Sequence, residues 1–147
     1  MVNGMRKIEF SVEGDPVPKS RPRFSSRNMR VYTPKRTSDY EKKIAEASAE
    51  AMAGKPPTEF PVKVSIRAYR KMPKKWNKDK KEKAERGEIL PSMHGADLDN
   101  ICKSCLDGMT GTVYADDCQI VGLSGRKMFS YYPRVEIEVT EICTDIA

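Results

Sequence analysis

Asp97, Asp99, Lys103, Asp116 and Asp117 fall within the segment G-A-D-L-D-N-I-C-K-S-C-L-D-G-M-T-G-T-V-Y-A-D-D-C-Q-I that runs from Gly95 to Ile120. Asp97 and Asp99 stand at the entry to an apolar set, Leu98, Ile101, Cys102, Cys105, Leu106 and Met109, whose three-and-four spacing predicts one face of a helix. Hard divalent cations take oxygen ligands, and Mg²⁺ is held by a few carboxylates while keeping places for water and substrate phosphate. Two aspartates in a helix-entry turn begin such a site. Asp116 and Asp117 supply a second pair beyond the turn signalled by Gly108 and Gly111. Asp117 opens the alternating segment from Cys118 to Leu123, which predicts a strand. Strand neighbours point to opposite faces, so Asp117 is the expected metal ligand and Asp116 an accessory one. Lys103, one helical turn after Asp99, shares its surface and can neutralise charge building on phosphoryl oxygens. The blander reading makes Asp99 a helix cap, pairs Lys103 with Asp99 and Asp107, and leaves Asp116 and Asp117 as turn residues. The combination of D-L-D-N, a lysine one turn on and a following D-D favours the metal-dependent phosphodiesterase site over those separate explanations.

The elements that must position this site can be traced along the chain. Lys7 to Glu13 alternates, with Ile8, Phe10 and Val12 on one side, and predicts a strand ending at Gly14-Asp15-Pro16. Lys19 through Tyr32 is a basic loop in which Lys19, Arg21, Arg23, Arg27 and Arg30 alternate with aromatics. Lys19 and these arginines are candidate DNA contacts, the arginines gripping phosphates bidentately, and Phe24 or Tyr32 could stack on an unpaired base. Ser38 and Glu41 have capping-box spacing, and Tyr40, Ile44, Ala47 and Ala51 mark a helix face that ends at Gly54. Val62, Val64, Ile66 and Ala68 predict a second strand. Arg70 to Arg86 is lysine-rich around Trp76 and reads as a helix or a flap, with Lys74 and Lys75 as candidate DNA-backbone contacts. Val121 to Leu123 and Arg134 to Thr140 predict later strands, with Ser124 to Lys127 between them or in a bent strand. His94 reads as a solvated loop histidine. The whole is one mixed α+β domain spanning 1–147, a small mixed sheet carrying two or three helices.

Charge is unevenly distributed: residues 1–90 hold 23 Lys and Arg against 12 Asp and Glu, while residues 91–147 hold 4 against 9. A basic surround with an acidic centre suits a protein that attracts a polyanion and holds cations at one phosphate of it. The chain has no apolar run long enough to span a membrane and no leader-like apolar core in Met1 to Phe10, so a cytoplasmic location is expected. Cytosolic thiols stay reduced, so Cys102, Cys105, Cys118 and Cys143 need form no disulfide. Cys102 and Cys105 fall in the apolar helical stripe and read as small buried hydrophobes rather than zinc ligands.

Asp97-Leu98-Asp99-Asn100, Lys103, Leu106-Asp107 and Gly111 through Ile120 together resemble the signature of the RusA family of Holliday-junction resolvases, found in bacteria and their phages. The likeness is specific across residues 97–121 and looser elsewhere. It implies a small α+β homodimer that binds four-way DNA junctions and makes paired nicks with Mg²⁺ or Mn²⁺, in recombination and repair or phage DNA processing. Carried over by position, Asp97, Asp99 and Asp117 are metal-binding catalytic carboxylates and Lys103 the catalytic lysine. Two other functions fit the same residues: a nuclease selective for flaps or other branches, and a DNA-binding module without catalysis.

Overall fold

A computed structural model describes residues 6–92 and 95–143; His94 lies outside them. The elements in chain order are β1 (Lys7–Glu13), β2 (Arg23–Ser25), β3 (Arg30–Tyr32), α1 (Lys35–Met52), β4 (Val62–Lys71), α2 (Lys78–Glu85), α3 (Leu98–Met109), a 3₁₀ turn (Asp117–Gln119), β5 (Ile120–Ser130) and β6 (Arg134–Glu141). Period-two apolar residues dictate the main sheet. Its strands lie in the order β1-β6-β4-β5, with β4 and β5 parallel and the other pairs antiparallel. Val62, Val64, Ile66 and Ala68 of β4 and Val135, Ile137 and Val139 of β6 are buried on one face. The α+β expectation holds, with three helices and a mixed sheet. Among the described residues no helix is long and apolar enough to cross a membrane.

Helices α1 and α3 cover that face. Tyr40, Ile44, Ser48 and Met52 recur every four residues along α1, and Ile101, Cys102, Cys105 and Met109 form the matching stripe on α3. The two helices meet at Gly108, where a Cβ would lie 2.6 Å from Ile44 Cβ and 2.8 Å from the Glu41 carbonyl oxygen. Glycine sits there because no side chain fits between the helices. The crossing fixes α3, and with it the aspartates at its start.

Three expectations are corrected by the geometry, and two are narrowed to one of their alternatives. The capping box of α1 does not form: the helix begins earlier, behind Pro34, and the Ser38 hydroxyl donates to the Lys35 carbonyl one turn back. Proline serves at a helix start because the first N–H groups need no intrahelical acceptor. The basic loop contains a two-stranded ribbon, β2 paired with β3, rather than irregular chain alone. Val121 through Lys127 belongs to one continuous strand, β5, which extends to Ser130. Asp117 does not open that strand but begins a 3₁₀ turn, so the alternation argument does not govern where its side chain points. The lysine-rich segment resolves into α2, capped by Asn77 Oδ1 accepting from Lys80 N at 2.8 Å. Of its residues only Ala84 is buried, and the helix is tied to β5 by Glu85, which accepts from Ser130 Oγ and from the Tyr131 amide.

Candidate active site

Helix α3 starts in a turn that leaves carboxylates available. Asp97 occupies the position before the first helical residue, where a carboxylate ordinarily accepts a backbone amide, yet its side chain makes no capping bond. Asp99 lies in the first turn, and its Oδ1 accepts the Asn100 amide at 3.0 Å. Both side chains are exposed, and the helix N-terminus adds partial positive charge beneath them. Lys103 is exposed one turn further on, and its ammonium pairs with no carboxylate among the described residues. The blander pairing of Lys103 with Asp99 and Asp107 is therefore not realised. Asp107 is taken by a different cation, Lys19.

Asp97, Asp99, Asn100 and Lys103 form one wall of a cleft of about 440 Å³ whose other wall is Lys19, Ser20, Arg21 and Pro22. That second wall is held in place by backbone contacts. The Lys19 amide donates to the Asn100 carbonyl at 2.7 Å, and the buried Ser104 hydroxyl donates to the Val17 carbonyl at 2.6 Å. The basic segment thus runs directly across the acidic helix start. Arg21 faces the cleft as a lining residue, while Arg23 and Arg30 lie on the exposed ribbon and Arg27 on the turn between its strands. Phe24, Val31 and Tyr32 of the same ribbon are exposed, and Phe24 stands opposite Val31. Lys74 and Lys75 are exposed just before α2.

Lys19 differs from the other basic residues. Its Nζ lies 2.5 Å from Glu41 Oε2 and 3.0 Å from Asp107 Oδ2, so one ammonium joins α1 to α3. Burial alone would lower its pKa; the bonds to Glu41 and Asp107 outweigh that and raise it. Its charge is therefore neutralised within the protein, and its position is that of a tie.

The second aspartate pair is held apart from the first. Asp116 caps the 3₁₀ turn: its Oδ1 accepts the Cys118 amide at 2.9 Å, and its own amide donates to Gln119 Oε1 at 2.8 Å. The bond from the Cys118 amide holds the Asp116 carboxyl below the usual carboxylate range. Its hydrogen bond to Asp117, then burial and the charges of Asp116 and Asp107, raise Asp117 instead. Asp117 is exposed but does not line the cleft of Asp97 and Asp99. Among the described residues no three His, Cys, Asp or Glu side chains form a ready metal cage. The chain brings together Asp97, Asp99, Lys103 and Arg21, and leaves Asp116 and Asp117 outside that group.

The cysteines differ in their surroundings. Cys102 and Cys105 are buried on the core-facing side of α3, Cys102 with its Sγ against Gly125 of β5, and Cys118 is exposed. Burial, with the Asp99 charge behind it, pushes the Cys102 thiol up, and burial does the same to Cys105. Both are inert packing residues, as the apolar stripe predicts.

A contributor that sequence reasoning missed lies behind the cleft. Gly95 adopts φ +98°, and Arg70 Nη1 fills the space its Cβ would occupy, at 1.7 Å. Lys127 Nζ donates to the Ala96 carbonyl at 3.2 Å. Arg70 and Lys127 thus brace the two residues that lead into Asp97. Neither has a signal in the sequence, because each comes from a strand remote from the acidic segment.

Comparison with known proteins agrees with this architecture. The chain matches the family Endodeoxyribonuclease RusA over residues 13–140. It is 36% identical over 141 residues to Uncharacterized protein YqaN of Bacillus subtilis (strain 168), covering 92% of this chain and 96% of that one. It is 30% identical over 147 residues to Crossover junction endodeoxyribonuclease rusA of Lactococcus phage r1t, covering 92% of this chain and 99% of the phage protein. The family match begins at the end of β1 and takes in the basic ribbon and the acidic helix start, and the chain belongs to the RusA family of endodeoxyribonucleases.

Proposed function

We propose that this endodeoxyribonuclease resolves four-way DNA junctions by paired, metal-dependent nicking, acting as a homodimer in recombination, repair or phage DNA processing. The observation that carries the reading is the Asp97 carboxylate, uncapped at a helix start, facing Arg21 across a cleft that also holds Asp99 and Lys103. A carboxylate that forgoes its own cap is available for another electrophile. The name of the phage relative supports the junction as substrate.

Asp97 and Asp99 are hard oxygen donors and suit Mg²⁺ or Mn²⁺, since Mg²⁺ is commonly held by one or two carboxylates with water and phosphate completing its shell. Asp117 is the proposed third carboxylate, with Asp116, engaged in its cap, as an accessory. When bound, the cation supplies charge neutralisation at the scissile phosphate and an acidified water. The chain's own groups do the rest. Arg21 grips the phosphate at the mouth of the cleft, and Arg23, Arg27 and Arg30 follow the strand outward along the ribbon. Lys74 and Lys75 contact backbone on the other side. Lys103, held at the cleft without a competing carboxylate, offsets the charge that grows on the phosphoryl oxygens, a benefit larger in the transition state than in the ground state.

Homodimerisation fits the near two-fold symmetry of a junction, whose two nicks require two sites. It is supported by β5, the outer strand of the sheet, which leaves Val121 and Leu123 exposed at 64% and 51%. Long apolar edge strands are ordinarily covered. The test is cleavage of labelled four-way, three-way and linear DNA with Mg²⁺, Mn²⁺ or EDTA. Symmetric nicks confined to the four-way substrate are expected. Equal cutting of three-way DNA would make the protein a general branch nuclease, and binding without cutting would make it a DNA-binding module.

A further inference from the structure

A second cavity, of about 390 Å³, opens beside Gly95. Its size lies in the ordinary range for small-ligand sites. Pro73, Trp76, Leu90 and Phe129 form apolar walls, and its charged lining residues are Arg70, Lys71 and Lys80, with no carboxylate among them. Trp76 and Phe129 meet edge to face, centroids 5.1 Å apart at 72°. Lys80 Nζ lies 4.4 Å from the Trp76 ring centroid.

Arg70 points to what the cavity holds. Its Nε is buried and has no hydrogen-bond partner among the described residues, and its Nη2 reaches Asp15 only at 3.6 Å. A buried donor left unmade is costly and calls for an explanation, most simply an anionic group that completes it. A ligand that satisfies aromatic walls, a half-paired guanidinium and a lysine together is a flat ring system bearing a phosphate.

We propose that this cavity receives one unpaired nucleotide of the DNA, its base against Trp76 and Phe129 and its phosphate on Arg70 and Lys80. The proposal rests on the DNA-cleaving reading above and extends it. Gly95 borders this cavity and Asp97 borders the cleft, and two peptide units separate their Cα atoms by at most about 7.6 Å. The captured nucleotide therefore leaves its strand beside the scissile phosphate. A base already unpaired at a branch enters most cheaply, because continuous duplex must first be unstacked. In the free protein the Lys80 ammonium covers the Trp76 ring; an exposed cation–π contact is weak, so the base displaces it and the ammonium turns to the phosphate. The cavity thereby discriminates branched DNA from duplex beside the catalytic cleft.

Trp76 is the chain's sole tryptophan, so its fluorescence reports this cavity directly. The full chain is titrated with thymidine 5′-monophosphate, a short oligothymidylate, a blunt duplex and inorganic phosphate. Saturable quenching by the mononucleotide and the single strand is expected, with the duplex at least about tenfold weaker, since base stacking contributes only when the base is free. Arg70→Gln should weaken the mononucleotide by about tenfold or more through loss of a charged donor. Lys80→Ala, at an exposed helical position where folding is safe, should weaken it too and change the starting fluorescence. Equal quenching by duplex would overturn the proposal in favour of a backbone clamp, and absence of quenching by every DNA would overturn it outright. Normal junction cleavage without quenching removes this inference alone; quenching without junction cleavage removes the junction reading alone.

Discussion

Replacing Lys19 with methionine separates a tie between helices from a DNA contact. The substitution keeps the alkyl stem and removes the ammonium that lies 2.5 Å from Glu41 Oε2 and 3.0 Å from Asp107 Oδ2. Hydrogen bonds to charged groups contribute about 1.5–3 kcal/mol when shielded, whereas exposed ion pairs contribute about 0–1 kcal/mol. Lys19 and Glu41 are 22% and 21% exposed and Asp107 is 42% exposed, so the first bond belongs near the former range and the second near the latter. A loss of about 2 kcal/mol follows, which for a domain of this size lowers Tm by roughly 4–8 °C. The lysine pKa is raised on folding, so the contribution is complete below the ordinary value of 10.5 and is lost only as pH rises through the folded value. The gap between wild type and variant should therefore stay constant across the neutral range and close in strong alkali. Each phosphate contact on duplex arms adds about 0.9 to the slope of log K against log salt, and Lys19→Met should leave that slope unchanged. Thermal unfolding by circular dichroism and junction titrations at several salt concentrations test both halves. An unchanged Tm with a slope reduced by about one unit would refute the argument and return Lys19 to the DNA surface.

Three further outcomes follow. If Arg23 and Arg30 each contact one phosphate, as proposed, Arg23→Ala with Arg30→Ala should lower the salt slope by about two units, while single-turnover cleavage at saturating enzyme stays near normal. Gly108→Ala should destabilise the fold: the helix-propensity gain of about 1 kcal/mol is outweighed by a Cβ 2.6 Å from Ile44 Cβ and 2.8 Å from the Glu41 carbonyl, with a net loss of about 1–2 kcal/mol by denaturant titration. Lys103→Ala should lower the single-turnover rate strongly while junction affinity changes little, and equal losses in both would make it a docking residue.

The strands and the acidic helix were legible because their signals are local and periodic. Val62 to Ala68 and Val135 to Val139 alternate, and Ile101 to Met109 keeps a helical stripe, each with burial to match. The ribbon of β2 and β3 was not legible, because strands of three residues with both faces exposed leave no alternation to read. Glu41 carried the signature of a capping box but is held by Lys19, a residue 22 positions earlier, and Pro34 starts the helix instead. At the candidate site, Asp99 and Lys103 share a cleft because one helical turn separates them, which the spacing alone dictates. Where Asp117 points depends on whether a short segment forms a strand or a 3₁₀ turn, and the Asp116 cap with Gln119 decides for the turn. Arg70 and Phe129 come from β4 and β5 and Trp76 from the connection that leads into α2, and they meet only through the parallel pairing of the two strands and the docking of α2.

Asp97 and Asp99 are proposed to hold the cation that DNA cutting requires. The most direct test of this is single-turnover cleavage of a labelled four-way junction in Mg²⁺ by wild type, Asp97→Asn and Asp99→Asn, each checked for folding and junction binding. Asparagine removes the anionic ligand at almost constant volume, so each variant should bind the junction as wild type does and cut it negligibly, as wild type does in EDTA. Near-normal cleavage by either folded variant would contradict the account.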